Sequence, residues 1–462
     1  MFSTATPAAT LLGGHVRHFT GDLLGFLCHC ERDFGAVVPL RIYTARVFVI
    51  NDPDVVAEVL VRQSSRFEKG LAIQILKPMF GEGLLSADHA RWRKQRTLLQ
   101  PAFRRRAIER YTTSMVESTR ALLDSWAPGS RRDIHDDMMS LTLDIVVRSL
   151  FGSDVSIHDR AAVLAAARAL QEFFGRYRRS YVPMPAVVPT PANLILRRNA
   201  RRLDATIYAM IQARRRSGAR GDDILSLLLE ARDEHGAAIS DRQIRDELAT
   251  LFLAGTETTA GALAWSFYLL ARNPQVRDAF FDEVDRVLHG AAPTADDLPR
   301  LVYTDKLFKE VLRLYPTAHV FGRTAIEACE LRGHRVMPGA QVLISPWAIQ
   351  RSRRHYDEPD RFRPERWTPE MTANLHKLAY LPFGGGPRSC IGGVFATTEA
   401  KLILATIAQR FYVDLPRGVE VRPDPAVTLR PAGGLPMIVR ARERSKCATD
   451  DGKNAAGSSR SH

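Results

Sequence analysis

Residues 383–392 read FGGGPRSCIG. The one sulfur, Cys390, stands among residues with almost no side chain, with Arg388 two positions before it. A thiolate needs backbone N–H groups, cations or a metal to hold its charge. Glycines let amides approach a group closely and permit positive-φ turns. A helix starting just after Cys390 points its N-terminal amides at the sulfur. The stretch therefore suits a persistently deprotonated cysteine facing something large, and its small neighbours leave room for a flat macrocycle. Taken alone, it also fits a glycine-rich turn around a buried, inert thiol.

Three other segments carry chemistry. ELATLFLAGTETTAG places Ala254, Gly255, Thr256, Glu257 and Thr258 in a helical pattern, where the Thr258 hydroxyl can bond a carbonyl one turn back and locally open the helix. KEVLRLYP puts Glu310 and Arg313 three apart, on one helix face. DHARWRKQRTLLQPAF carries Trp92 and Arg96, an indole and a guanidinium that only donate hydrogen bonds.

Together these segments resemble the cytochrome P-450 superfamily. Its cysteine-loop pattern, Phe-x-x-Gly-x-Arg-x-Cys-x-Gly, is met by Phe383, Gly386, Arg388, Cys390 and Gly392, and the resemblance runs over about residues 37–440. It implies heme b, with Cys390 as the axial thiolate ligand of the iron, between a long distal helix and the cysteine loop. Ala254 and Gly255 would then leave space for dioxygen, Thr258 would position dioxygen and water, and Glu257 would help deliver protons. Arg366 of RPERW would join Glu310 and Arg313 in a buried triad that fixes the cysteine loop, because arginine forks bind carboxylates in a bidentate way. Trp92, Arg96, Arg323, Arg388 and Lys69 would donate to the two haem propionates.

The implied reaction is hydroxylation or epoxidation of a lipophilic small molecule with dioxygen and two electrons. The segments expected to meet the substrate are residues 73–80, a proline-rich loop, 251–254, 317–322 and the surroundings of Leu435. They are mostly apolar or small, and the run from Phe67 to Phe103 looks most like branches acting on terpenes and fatty acids, with a terpenoid placed first. The Glu257-Thr258 pair favours dioxygen over peroxide as oxidant. The alternatives are a fatty acid hydroxylase, and a peroxide-dependent or non-oxygenating haem-thiolate protein. No flavin-binding or iron–sulfur pattern follows the cysteine segment, so a separate ferredoxin- or flavodoxin-type donor is expected. Such donors are commonly acidic, and Arg91, Arg93, Lys94 and Lys401 are candidates to meet one.

The elements that must position these residues are mainly helical. VVPLRIYTARVFVI alternates as a β-hairpin, and most of 91–241 reads as helix. SDRQIRDELATLFLAGTETTAGALAWSFYLLARNP is the longest helical pattern, about 33 residues or ~50 Å, with Ser240 and Gln243 as a capping signature and Asn273-Pro274 as its stop. Its middle is apolar on all sides, as in a helix through the core. Short strands with glycine and proline turns follow, then the cysteine loop and a last helix over about 394–410. The fold class is mainly α (α+β), a large helical domain with a smaller β-rich region, expected as a single domain over 1–440 with a disordered tail over 441–462. Pro183, Pro185, Pro189 and Pro191 break the helical pattern in a loop that reads equally as a lid or a surface connection.

The 462-residue chain has a net charge of +14, from 65 basic and 51 acidic residues. The arginines are spread out and no nucleic-acid-binding signature accompanies them. Five cysteines at irregular spacing form no disulfide framework, and CHC at 28–30 has no second cluster to complete a zinc site. No targeting segment, membrane anchor or membrane-length apolar run is evident, so a soluble cytoplasmic protein is expected.

Overall fold

The computed structural model describes residues 6–443 apart from 153–156, 182–187, 219–220, 222 and 233–235. Among the helices of the described residues, those that carry most of the site are α1 (His89–Leu99), α2 (Ile134–Phe151), α3 (Ile157–Arg179), α4 (Pro191–Ser217), α5 (Asp241–Arg272), α6 (Pro274–Leu288), α7 (Val302–Leu314) and α8 (Gly393–Ala408). The long pattern is one unbroken helix of 32 residues, α5. The Ser240 hydroxyl caps it by accepting the Gln243 N–H at 3.2 Å. Asn273 closes it, and Pro274 opens α6. Most of α5 is buried on every side, packed by α2, α4, α7 and α8. It is the axis of the helical core. Gly255 serves this packing: a Cβ there would stand 3.0 Å from Val146 of α2.

The β-rich part lies to one side. Strands β1 (Val37–Ile42), β2 (Ala45–Ile50), β3 (Phe67–Lys69), β4 (Phe321–Ala325) and β5 (Gln341–Ile344) form a sheet in the order β1-β2-β5-β4-β3. The expected hairpin is β1–β2, antiparallel with Ile42 opposite Ala45. The antiparallel β3–β4 pairing sets Lys69 directly opposite Arg323. A second sheet places Pro436–Ala441 between Arg131–Asp133 and Phe411–Asp414. Ala441 is in this strand, and Arg442 pairs with Asp285 at 2.6 Å. The rest of the expected tail, from 444 on, lies outside the described residues, as do Pro183 and Pro185.

The cysteine loop is tied to α7 through one carboxylate. Glu310 and Arg313 are both fully buried and pair through two bonds of 2.8 and 2.9 Å. Arg366 joins them at 2.8 Å, Trp367 Nε1 donates to the same carboxylate at 3.0 Å, and the Arg363 N–H does so at 3.1 Å. The remaining donors of Arg313 go to the carbonyls of Gln350, Pro359 and Arg361. The Gln350 side chain in turn accepts the Leu381 N–H at 2.7 Å, just ahead of the cysteine loop. Removing the shared acceptor strands two guanidinium groups in the core, which costs about 3–5 kcal/mol. Glu310→Ala is therefore expected to lower the urea midpoint of unfolding by that amount of stability, whereas a loss under 1 kcal/mol would mean that the triad behaves like a surface pair.

Candidate active site around Cys390

The loop before α8 is shaped by its glycines. Gly386 has φ +69°, and a Cβ there would fall 2.0 Å from the Leu60 carbonyl oxygen. The Cys390 N–H donates to the Phe383 carbonyl at 2.9 Å, closing the loop. The Phe383 ring lies over Gly393, where a Cβ would come within 3.3 Å of it. These contacts account for Phe383, Gly386 and the small residues after Cys390. The Cys390 side chain is accessible although protein surrounds it, so it faces an interior space. Burial pushes its thiol up, while the Gly392 N–H, Arg96 and Lys69 pull it down. Coordination to a metal deprotonates such a thiol outright.

Around the sulfur stands a group of cations. Arg96 Nη1 donates to the Ser389 carbonyl at 2.7 Å. Arg388 Nη1 donates to the Ala87 carbonyl at 3.0 Å, and its guanidinium lies 4.9 Å from the centre of the buried Trp92 ring. Trp92 and Arg96 share one face of α1, as their spacing of four requires. Lys69 and Arg323 come from the facing strands β3 and β4. Burial holds all four cations below their ordinary values: Lys69 well below, Arg323 at about 10, and Arg96 and Arg388 lowered. Repulsion adds to this, on Lys69 from Arg323 and Arg388 and on Arg323 from Arg388. None of the four forms an ion pair with a carboxylate among the described residues, and Arg388 Nε and Nη2 are buried without an acceptor. Buried cations are stable only when anions meet them. Two carboxylates beside a thiolate-bound iron are what this set can hold, which fits the propionates of a haem.

The other wall comes from α5. In the middle of this buried helix, Ala254 is exposed and Gly255 and Thr258 are half-buried, so one face is accessible inside the protein. Thr258 Oγ1 donates to the Ala254 carbonyl at 2.7 Å, the back-bond its position predicts, and α5 continues through it without a break. Glu257 points elsewhere. It is buried, and Oε1 accepts the Thr428 hydroxyl at 2.9 Å. Burial raises its carboxyl to about 7, against the pull of Thr428 and Arg430.

Several expectations change. The missing Cβ of Gly255 faces Val146, so this glycine also serves helix contact, and Ala254 is the most exposed residue of the open face. Leu435 itself is fully buried, while Ala432 and Gly433 beside it are exposed. Lys401 is buried too, bonded to the Leu298 carbonyl and to Asp305, so it cannot meet a partner protein. Arg91, Arg93 and Lys94 are exposed on α1, as expected, with Arg91 3.4 Å from Glu82. Cys28 and Cys30 remain thiols that burial pushes to about 11 and about 12. Gln350, Thr428 and Gln171 went unnoticed in the sequence, because their partners lie far away along the chain.

This geometry has close counterparts. The Cytochrome P450 family profile matches residues 6–435. Cyclooctatin synthase of Streptomyces melanosporofaciens is 39% identical over 443 residues, covering 95% of this chain and 96% of that protein. Pentalenene oxygenase of Streptomyces avermitilis is 34% identical over 437 residues, covering 94% and 97%. Cyclooctat-9-en-7-ol 5-monooxygenase of Streptomyces melanosporofaciens is 36% identical over 447 residues, covering 94% and 95%. The crystal structure of the cytochrome P450DA heme domain superposes with a TM-score of 0.84 at 31% identity, over 95% of this chain and 98% of that one. With its cysteine loop, its unpaired cations and the open face of α5 in place, the chain belongs to the cytochrome P450 family, whose members bind haem through a cysteine thiolate.

Proposed function

We propose that this protein is a haem-thiolate monooxygenase that hydroxylates a terpenoid, with Cys390 as the iron ligand. The observation that carries the reading is a set of four cations, with no ion pair among the described residues, beside an accessible cysteine. Arg96, Arg388, Arg323 and Lys69, with Trp92, hold the propionates, and the triad of Glu310, Arg313 and Arg366 holds the loop. When bound, the haem supplies reductive activation of dioxygen, favoured by thiolate donation. The chain's own residues orient the substrate, exclude water and manage protons. Thr258 presents its hydroxyl on the open face of α5, its proton turned to the Ala254 carbonyl and its lone pairs free to hold a water. Glu257, one residue before it but turned to Thr428, holds a proton near neutral pH and passes it to that face by way of water.

Relatives named for oxidising pentalenene and cyclooctat-9-en-7-ol support a terpenoid over a fatty acid. The purified holoprotein is to be titrated with polycyclic sesquiterpene and diterpene hydrocarbons and with straight-chain fatty acids, following the absorption shift that marks displacement of water from the iron. Saturable shifts with the terpenoids are expected; shifts with the fatty acids alone would overturn the substrate class. With a responding terpenoid, dioxygen and an electron supply, Glu257→Gln and Thr258→Ala are each expected to cut product formation by ~10²-fold and to release more peroxide per electron pair. Parental turnover in Glu257→Gln would remove Glu257 from proton delivery.

Electrons come from a separate acidic ferredoxin or flavodoxin that docks beside the cysteine loop. Arg93 and Lys94 are exposed on α1, the helix whose Arg96 bonds Ser389, and Arg104, Arg105 and Arg106 continue the basic surface. Phe103, just before them, packs edge-on against Phe395 of α8, with ring centres 6.5 Å apart. Charge reversal of Arg93 and Lys94 together is expected to slow reduction by an acidic ferredoxin by about tenfold at low salt, with the difference closing at high salt. An unchanged rate at low salt would place the docking surface elsewhere.

A further inference from the structure

We propose that Gln171 and Thr428 are positioning residues that hold the Glu257 carboxyl in one orientation and favour its ionised form. The chain of bonds has a single direction. The Val427 N–H donates to Gln171 Oε1 at 3.1 Å, which settles which end of the amide is oxygen. Gln171 Nε2 is left to donate, and it reaches Thr428 Oγ1 at 2.9 Å. A hydroxyl that accepts from an amide has its one proton free for another acceptor. That acceptor is Glu257 Oε1, at 2.9 Å. Gln171, Thr428 and Glu257 are all buried, so no bulk water competes for these bonds.

The three side chains come from three elements: α3, the turn before the strand Leu429–Pro431, and α5. The turn is itself pinned. Trp265 Nε1 of α5 donates to the Leu429 carbonyl at 3.0 Å, and the Leu429 N–H donates to the Thr317 carbonyl at 2.9 Å. Thr428 cannot drift from Glu257 without breaking these bonds. Of the elements around Glu257, the strand after Thr428 supplies the one charge that acts on the carboxyl, Arg430, which is itself held by Asp424 at 3.4 Å. Among the described residues, α2, α3 and α8 add none. Burial drives the carboxyl towards its neutral form, and the Thr428 donor is the larger of the two opposing pulls. A proton donor and acceptor at physiological pH works best when both of its forms are populated, and the Gln171–Thr428 pair provides that balance. The inference rests on the reading of Glu257 as a proton-delivering group.

The test is a pH titration of the holoprotein by infrared difference spectroscopy, with the Glu257 carboxyl band identified by its loss in Glu257→Gln. Thr428→Val keeps the shape and removes the donor, so the midpoint is expected to rise by about one pH unit. Thr428→Ser keeps the donor and is expected to titrate as the parent does. Gln171→Leu frees the hydroxyl to turn away and is expected to raise the midpoint by a smaller amount. A parental midpoint in Thr428→Val overturns the inference, as does an equal rise in Thr428→Ser. Should Thr428→Val fail to fold, Gln171→Leu decides in the same way. The midpoint tests the positioning, and turnover of Glu257→Gln tests the proton-delivery reading, so either can fail while the other stands.

Discussion

A single buried carboxylate organises the cysteine side of this protein. Glu310 receives five hydrogen bonds, from Arg313, Arg366, Trp367 and the Arg363 backbone, at a site with no exposure. Buried ion clusters are weak sources of stability, since apolar residues of the same volume often serve as well. Their value here is geometric. Three stretches of chain that share no regular secondary structure meet at one point: the end of α7, the irregular segment 350–367, and the approach to the cysteine loop. The Tyr356 hydroxyl donates to the Ala379 carbonyl at 3.0 Å, and its ring lies against Arg313, which adds a second tie to the same loop. Cys390 is held in place from α7 by these relays.

The same residue types appear around the sulfur in the opposite arrangement. Arg313 and Arg366 are matched with a carboxylate, whereas Arg96, Arg323, Arg388 and Lys69 form no direct ion pair among the described residues, and Glu68 and Asp88 act on Arg388 only from a distance. The matched pair is structural and complete. The second group carries positive charge that its burial disfavours, which is the setting the proposed propionate contacts would use. Across the interior, α5 does something similar with an acid. Glu257 is placed where burial alone would neutralise it, and the Thr428 hydroxyl and the charge of Arg430 partly restore its charge. In both places the fold holds a group away from its ordinary proton equilibrium.

Much of this was legible in the sequence. The cysteine loop could be read because glycines and a cysteine in fixed spacing leave few physical solutions. α5 could be read because its cap, its stop and its apolar length agree, and Thr258 because a back-bond depends only on its own helix. Glu310 and Arg313 share a helix and a face. What could not be read depends on tertiary contact. Gly255 looked like space for a ligand, yet its open side belongs to Val146, 109 positions away in the chain (255 − 146). Lys401 looked like a surface charge until Asp305 and the Leu298 carbonyl enclosed it. Thr428 and Gln171 carry no local pattern, and only the meeting of α3 with a distant turn gives them a role.

The arginine forks of the triad reach mostly for main-chain oxygens. Arg313 and Arg366 together take the carbonyls of Gln350, Asp357, Glu358, Pro359 and Arg361. A carbonyl is present whatever side chain its residue bears, and what matters is where it falls. The demand on residues 357–361 thus falls mainly on where their main chain runs, and an insertion or deletion of a single residue among them would carry these carbonyls out of place. The segment keeps count of its length rather than memory of its letters.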